Sequence, residues 1–191
     1  MTEGKKSAGA AGSILRLALI LFAFAAVVAI LLGLVNYVTH ERIDAYQAEK
    51  AARAMEAVLP APRYTLVEGN DALEKLELVK EVYAAGDLGW VVMVTPNGFG
   101  GEIHMAVGVD RSGTVTGVSI VKMSETSGLG ANAARESFRS QFIGSSGTVA
   151  LSKAGGEIDA LTGATVTSTA VVGGVNAALA AAAELREEAG N

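Results

Sequence analysis

The strongest pattern in the chain is an almost uninterrupted apolar stretch over residues 17–38. About 20 apolar residues are enough for a helix to span the hydrocarbon core of a bilayer. Arg16 and Arg42 flank the stretch, where charged residues meet the membrane surface. The pattern predicts a transmembrane helix over 14–38, preceded by a polar tail, residues 1–13, that we expect to be disordered and cytoplasmic.

A cleaved signal peptide is the alternative to a membrane anchor, because Ala23, Phe24 and Ala25 resemble a small-residue cleavage site. That site lies within the apolar stretch, however, and the stretch is longer than the apolar region of a signal peptide. We therefore expect an uncleaved, single-pass anchor. The positive charges close to it slightly favour an N-terminus on the cytoplasmic side.

After the anchor, the spacing of the apolar positions changes. Helical spacing over 39–62, ended by two prolines, predicts a linking helix. Alternation of apolar and polar positions then predicts strands, two of which are joined by a hairpin loop, Asp110–Gly113. Gly117 stands where the alternation changes phase, which indicates a β-bulge. The predicted elements are strands over 76–83, 88–95, 103–109, 114–121 and 148–152 and helices over 132–142 and about 168–187.

Strands paired by hairpins, with helices at both ends, predict an α+β fold for the region after the anchor. We expect one domain over 63–191, with a mainly antiparallel sheet and flanking helices. Gly173 and Gly174 fall in the first turns of the last predicted helix, where they would allow another backbone or a ligand to approach closely.

The composition excludes several kinds of chemistry. The chain has 191 residues, no cysteine and two histidines, His40 and His104. Without cysteine there is no thiolate ligand for an iron–sulfur cluster and no disulfide, and two distant histidines do not make a histidine-rich metal site. The formal net charge of −5 argues against nucleic acid as a partner. Redox chemistry would therefore depend on an organic cofactor.

The segment 159–168, Asp-Ala-Leu-Thr-Gly-Ala-Thr-Val-Thr-Ser, combines hydroxyl groups and small residues with the predicted start of the last helix. Thr167 or Ser168 would be a suitable N-cap. The N–H groups at a helix start favour an anion, so a phosphate could bind there, and Gly163 and Ala164 leave room for a planar ligand. An ordinary capped helix is the alternative and, on local pattern alone, the commoner case.

The segment 124–130, Ser-Glu-Thr-Ser-Gly-Leu-Gly, predicts a loop in which glycines allow close approach. Thr126 and Ser127 offer hydrogen-bonding groups. The segment is not a P-loop, because no lysine follows the glycine, and it lacks the G-x-G-x-x-G spacing of a dinucleotide site. A plain surface turn is the alternative interpretation.

Together the two segments resemble the signatures of covalent FMN-binding domains. The segment from Asp159 to Thr165, Asp-x-x-Thr-Gly-Ala-Thr, closely resembles the flavinylation motif of the G subunit of Rnf electron-transport complexes and of the C subunit of sodium-translocating NADH:quinone oxidoreductases. The segment from Glu125 to Gly130 resembles a second signature of the family, which helps to enclose the flavin. Shorter matches lie at 100–103, 107–110, 113, 117–118 and 141–144, so the resemblance covers nearly the whole chain.

The resemblance implies that FMN is attached to Thr165 through a phosphoester bond and that a separate flavin transferase, which would recognise Asp159, installs it from FAD. No residue is expected to be catalytic in itself, and no metal is expected. The implied flavin contacts are Thr162, Gly163, Ala164, Thr167 and Ser168 of the first segment and Glu125, Thr126, Gly128, Leu129 and Gly130 of the second.

Two positions depart from the family pattern. Ser127 stands where the family usually has proline, and Met123 stands where a histidine is common. Proline fixes φ, so Ser127 would make the loop more mobile. Neither change affects Thr165, but both bear on the flavin contacts and on the flavin potential.

The resemblance implies an electron-carrier subunit of an Rnf-type oxidoreductase complex, which couples electron transfer between ferredoxin and NAD to the movement of sodium ions or protons. The other membrane and redox subunits would be its partners, and the chain would have no substrate site of its own. Its domain is expected on the periplasmic or extracellular side of the cytoplasmic (inner) membrane.

Three alternatives stay open at this point. One is the quinone-reductase C subunit, although such subunits tend to be longer. Another is a membrane-anchored sensory or interaction domain that binds flavin. The third is a domain that binds some other ligand and no flavin.

Overall fold

A computed structural model of the chain describes residues 4–70, 73 and 75–189. It divides into two units, Met1–Gln47 and Ala48–Asn191, which we describe separately. The first unit consists of the larger part of a long helix, α1, Gly4–Val58. The second contains the end of this helix and all strands of the described residues.

The apolar side chains of α1 between residues 14 and 38 are almost all exposed. A helix that is apolar all round is stable only in apolar surroundings. By length and composition, α1 is able to cross a membrane. The apolar stretch therefore forms the helix that the sequence predicts.

The bounds of α1 differ from the predicted ones. The helix begins at Gly4, so residues 4–13, where the sequence predicts a disordered tail, are helical. Alanine is the best helix former, and three alanines stand in this stretch. Residues 1–3 of the predicted tail lie outside the described residues. The helix also continues through the predicted linking helix and ends at Val58, before Pro60.

The second unit is built on a five-stranded antiparallel sheet in which every strand pairs with its neighbours in sequence, in the order β1-β2-β3-β4-β5. The α+β fold is confirmed. Four of the strands fall where the alternation predicts them, whereas β1 has only two residues, too few to show a period. The strands are β1, Thr65–Leu66, β2, Val79–Ala84, β3, Gly89–Val94, β4, His104–Asp110, and β5, Val115–Lys122.

The predicted hairpin and bulge between β4 and β5 are both present. One carboxylate oxygen of Asp110 accepts hydrogen bonds from the backbone N–H groups of Ser112, at 2.8 Å, and Thr114, at 2.9 Å. In the ladder, Gly108 pairs with Gly117 and the next residue, Val109, pairs with Val115. Thr116 is therefore the extra residue, and the bulge lies directly beside Gly117.

Two predicted elements are wrong. The strand over 148–152 is absent, because Leu151 makes only an isolated bridge to Ile158 and the chain turns at once into a short 3₁₀ helix. The helix over 132–142 is broken, because Arg135 is extended, with φ −71° and ψ 142°. In its place the structure has a 3₁₀ turn, Gly130–Ala134, a short helix α2, Glu136–Arg139, and a second 3₁₀ turn, Ser140–Phe142.

The last helix, α3, Thr165–Ala189, covers one face of the sheet. Val171, Val175 and Ala178 are fully buried on its inner side and belong to the main core cluster. α3 is also long and apolar enough to span a membrane, but 56% of its apolar stretch is buried, as in a core helix of a soluble domain.

One glycine of the pair in α3, Gly174, is used for helix–sheet packing. An ideal Cβ on Gly174 would lie 3.0 Å from Pro96 Cγ and 3.1 Å from Met105 Sδ, whereas one on Gly173 would meet no atom of the described residues within 4 Å. The predicted close approach is therefore made by Gly174 alone, and to side chains of the sheet and its adjoining loop.

The other face of the sheet receives the end of α1. Ala54 and Val58 of the helix are buried together with Val91 and Ala106 of the sheet. An ideal Cβ on Gly108 would lie 2.5 Å from the carbonyl oxygen of Val58. Gly108 therefore leaves the space in which the end of α1 contacts the sheet.

Replacing Gly108 with alanine is expected to lower the free energy of unfolding by about 1–3 kcal/mol, because the methyl group forces a backbone shift in a packed region. Gly173→Ala is the matched control, since its methyl group enters open space within a helix. There the change should raise stability by about 0.5–1 kcal/mol. Denaturant unfolding of the full chain in detergent measures both, and a Gly108→Ala protein as stable as the Gly173→Ala protein would contradict the packing described.

Candidate functional site

The two segments that the sequence singles out lie side by side in the second unit. Together they line an open cavity of about 400 Å³. Binding sites for small molecules typically enclose roughly 300–1,000 Å³, so the cavity is large enough for a substantial part of a ligand. Its lining residues are Phe99, Glu125, Thr126, Leu129, Gly130, Gly163, Ala164, Thr165, Val166 and Thr167.

Most of the residues proposed from the sequence as flavin contacts are in this lining, but three are not. Thr162 is exposed on the turn before α3, and Gly128 is exposed at a loop position with φ +79°. Ser168 is fully buried beneath the start of α3. These three residues shape the segments around the cavity rather than its surface.

A tight turn leads into α3. The N–H of Ala164 donates to the carbonyl of Leu161 at 3.0 Å, which closes a β-turn with Thr162 and Gly163 in its centre. Gly163 has φ +73°, the conformation that a type II turn requires at this position and that glycine adopts without strain. An ideal Cβ there would also lie 3.1 Å from Leu129 Cδ2. Glycine therefore allows both the turn and the close contact between the two segments.

The helix begins earlier than predicted. Because Thr165 is the first residue of α3, the prediction that Thr167 or Ser168 is the N-cap is wrong. Both residues lie in the first turn and are buried. The Ser168 hydroxyl accepts from the N–H of Leu161 and donates to the carbonyl of Ala164, each at 2.9 Å. It thereby ties the turn to the helix.

Thr165 combines accessibility with a favourable electrostatic position. Its side chain is exposed, although Ala164 before it and Thr167 after it are buried. The first N–H groups of a helix have no acceptor within the helix and carry a partial positive charge. A phosphate next to the hydroxyl of Thr165 would therefore be stabilised by the start of α3.

Glu125 connects three segments around the cavity. One of its carboxylate oxygens accepts a hydrogen bond from the hydroxyl of Thr167 at 2.8 Å, and the other accepts from the N–H of Gly100 at 3.0 Å. A Cβ on Gly98 or Gly130 would collide with these same oxygens. Glu125 lines the cavity, but its carboxylate is used to hold protein groups in place.

The rim of the cavity is apolar and accessible. Phe99, Leu129 and Val166 are 74%, 44% and 54% exposed. Large apolar side chains that are exposed next to each other mark a binding surface. An apolar rim beside a helix start fits a ligand with a flat aromatic part and a phosphate. FMN has both parts, so the residues present fit it.

Phe99 and Val166 line the cavity but are not among the site residues predicted from the sequence. The sequence around Val166 carries no signal, because its place in the site depends on which side of α3 faces the cavity. Phe99 does carry a signal, because it stands among three glycines, Gly98, Gly100 and Gly101. An aromatic residue at the tip of such a turn has no core to enter and is therefore a candidate for contact with a ligand.

Asp159 lies outside the cavity lining, at the start of the motif. Its side chain is exposed, and its backbone is held by the side chain of Gln141. The N–H of Asp159 donates to Gln141 Oε1 at 2.7 Å, and Gln141 Nε2 lies 3.5 Å from the carbonyl oxygen of Asp159. The carboxylate is thus presented to the outside from a fixed backbone.

The loop that contains Ser127 is held by hydrogen bonds on both sides of this residue. The N–H groups of Leu129 and Ala131 donate to the carbonyl of Thr126 at 3.2 and 3.1 Å, and Asn132 Nδ2 donates to the carbonyl of Gly128 at 2.8 Å. Met123 packs against the main core. These hydrogen bonds hold the turn of the loop although Ser127 stands where the family usually has proline.

Comparison with known proteins gives two family matches. Residues 98–180 match the family described as FMN-binding domain, and residues 1–58 match the RnfG N-terminal region. The first match includes both segments of the cavity.

Two relatives are similar over most of their length. The G subunit of the Na(+)-translocating ferredoxin:NAD(+) oxidoreductase complex from Acetobacterium woodii is 36% identical over 184 residues, which cover 85% of this chain and 88% of the relative. The G subunit of the ion-translocating oxidoreductase complex from Methanosarcina acetivorans is 34% identical over 162 residues, 81% of this chain and 86% of the relative.

A similar solved structure is that of the C subunit of Na(+)-translocating NADH-quinone reductase from Parabacteroides distasonis. It aligns with a TM-score of 0.54 over 75% of this chain and 95% of the other. The sequence identity is 19%, so this similarity shows the fold alone.

Proposed function

This chain belongs to the family of G subunits of ion-translocating oxidoreductase (Rnf) complexes, and we propose on this basis that it is an electron carrier that holds FMN at the start of α3. Bound FMN supplies the capacity to take up and release electrons singly or in pairs. The relative from Acetobacterium woodii is named for electron transfer between ferredoxin and NAD and for sodium transport. The same overall reaction is proposed for the complex that contains this chain.

The observation that carries the proposal is the position of Thr165. Its exposed side chain opens onto the cavity at the first residue of α3, in the segment that resembles the flavinylation motif. The apolar rim formed by Phe99, Leu129 and Val166 lies on the same cavity. A single ligand with its phosphate at Thr165 and its ring at the rim uses both features.

The attachment that we propose is a phosphoester on the hydroxyl oxygen of Thr165. A flavin transferase would move the FMN part of FAD to this oxygen. The new bond joins Thr165 Oγ1 to the phosphorus of FMN, the pyrophosphate bond of FAD breaks, AMP leaves and the hydroxyl proton is released. No electrons are exchanged in this step. Because Thr165 is accessible in the folded domain, the transferase can reach it without unfolding α3.

The remaining residues of the cavity have distinct tasks in this proposal. The N–H groups in the first turn of α3 stabilise the phosphate charge. Leu129 and Val166 line the cavity and would shield part of the ring from water. Gly163 keeps the two segments close together. The reactive chemistry belongs to the cofactor, and the chain contributes attachment, orientation and shielding.

We also propose that α1 anchors the domain as a single-pass helix on the periplasmic or extracellular side of the cytoplasmic membrane. The exposed apolar stretch of α1 supports an anchor. A covalent bond would prevent loss of the cofactor where free FMN is scarce. The other subunits of the complex, which the family implies, would then exchange electrons with the flavin at the membrane surface.

The test is fluorescence of the full chain on a denaturing gel after co-expression with a flavin transferase. We expect a fluorescent band at the mass of the chain, because an ester bond survives denaturation. Expression without the transferase is the control and should give no such band. Flavin that accompanies the native protein but is absent from the denatured band would contradict covalent attachment and would favour a domain that binds flavin reversibly.

A further inference from the structure

Phe99 stands at the tip of the loop between β3 and β4, on the wall of the cavity onto which Thr165 opens. We propose that Phe99 is the aromatic wall against which the flavin ring packs, and that Glu125 is the positioning residue that holds Phe99 there. The inference rests on the proposed function, and it assigns roles to two side chains within that site.

The exposure of Phe99 indicates an occupant. Phe99 is 74% exposed, the highest value among the large apolar residues described in the second unit. Burying an aromatic side chain away from water is favourable, so this position loses that stabilisation unless a ligand covers the ring. Aromatic rings prefer offset stacking or edge contacts with other rings. The flat ring system of a flavin on Thr165 provides such a partner on the same cavity.

The loop that carries Phe99 is held in a fixed conformation. The N–H of Gly98 donates to the carbonyl of Gly101 at 2.8 Å, and the N–H of Ile103 donates to the carbonyl of Pro96 at 2.9 Å. Both bonds join a residue before Phe99 to a residue after it, and so they close a narrow turn around Phe99. Its backbone is therefore set before any ligand binds.

Glu125 fixes this loop to the rest of the site. Its carboxylate accepts from the N–H of Gly100, directly after Phe99, and from the hydroxyl of Thr167, two residues after Thr165. Gly98, directly before Phe99, has no room for a Cβ because the carboxylate occupies that space. One side chain thus holds the wall residue and the attachment helix at a set separation.

The hydrogen bonds of Glu125 also define a variant that separates position from charge. In Glu125→Gln, the amide oxygen can accept from the N–H of Gly100 while the amide N–H₂ donates to the oxygen of Thr167. Both contacts survive and the charge is lost. Glu125→Ala removes both contacts.

Tryptophan substitution tests whether the residue at position 99 contacts the flavin. An indole in contact with a flavin quenches its fluorescence, because the excited flavin takes an electron from the indole and returns it without emitting light. We expect Phe99→Trp in the flavinylated full chain to lower the flavin emission several-fold. Leu88→Trp is the matched control, since Leu88 is also exposed, at 48%, but precedes β3 at its other end. It should leave the emission unchanged.

The role of Glu125 is tested in the Phe99→Trp protein. Adding Glu125→Ala should restore much of the emission, because the loop loses its link to Thr167 of α3. Adding Glu125→Gln should leave the quenching in place. Intact mass confirms FMN in every variant and thermal unfolding confirms the fold, so that emission reports on position alone.

Each outcome bears on a different claim. Equal emission from the Phe99→Trp and Leu88→Trp proteins would overturn the role of Phe99. Equal quenching with Glu125→Ala and Glu125→Gln would overturn the role of Glu125. A parent chain without FMN in its mass would contradict the proposed function, and this inference with it. FMN present without quenching contradicts the inference alone.

Discussion

Thr165→Ala is expected to abolish covalent FMN attachment while the domain stays folded. The substitution removes the hydroxyl oxygen that accepts the phosphorus and leaves the transferase no bond to form. The side chain of Thr165 is exposed at the first residue of α3, and exposed substitutions of this kind change stability by no more than about 0.5 kcal/mol. Fluorescence on a denaturing gel and thermal unfolding measure the two effects.

Thr169→Ala is the matched control for this change. Thr169 is exposed on the same helix, one turn after Thr165, and its replacement should leave attachment intact. Thr165→Ser keeps the hydroxyl, but we expect poor attachment because the transferase must accommodate the residue itself. A fluorescent Thr165→Ala band would contradict the assignment. Stoichiometric attachment in the Thr165→Ser protein would contradict only the view that the transferase selects threonine.

Asp159→Ala is expected to slow attachment much more than it affects folding. The carboxylate is exposed and lies outside the cavity lining, so a separate enzyme is able to contact it. A hydrogen bond to a charged group contributes about 1.5–3 kcal/mol, and losing one would lower the rate roughly 10- to 150-fold. The measurement is the initial rate of FMN attachment to the detergent-solubilised apo-protein, with purified transferase and FAD.

Asp87→Ala is the matched control for Asp159→Ala, because Asp87 is an exposed aspartate outside the motif. It should react at the rate of the parent chain. Gln141→Ala should give an intermediate rate, since it releases the backbone of Asp159 and leaves the carboxylate in place. If Asp159→Ala reacts as fast as Asp87→Ala, the transferase does not recognise this carboxylate.

Much of the fold follows from the sequence, because alternation and turn residues are local signals. The hairpin at Asp110 and the bulge beside Gly117 are both correctly predicted. The predicted strand over 148–152 and the single helix over 132–142 are wrong, because the structure of these segments is not set by local signals. Whether Leu151 pairs with a strand, and whether the chain extends at Arg135, depends on tertiary contacts that the local pattern does not contain.

The site could be predicted in part. The two motifs predict which segments meet, and the cavity between them agrees with that. The use of each hydroxyl could not be predicted, because Thr167 and Ser168 look alike as N-caps until the start of α3 is known. Nothing in the local pattern indicates that Glu125 holds Gly100 and Thr167, since these residues are far apart in the chain.

We propose that this chain carries one FMN, on Thr165. Intact mass of the full chain after co-expression with a flavin transferase, followed by peptide mapping, tests it most directly. We predict a single added FMN phosphoester, on the peptide that contains Thr165 and on that residue. An unmodified chain, or FMN mapped to Thr162 or Thr167, would contradict it.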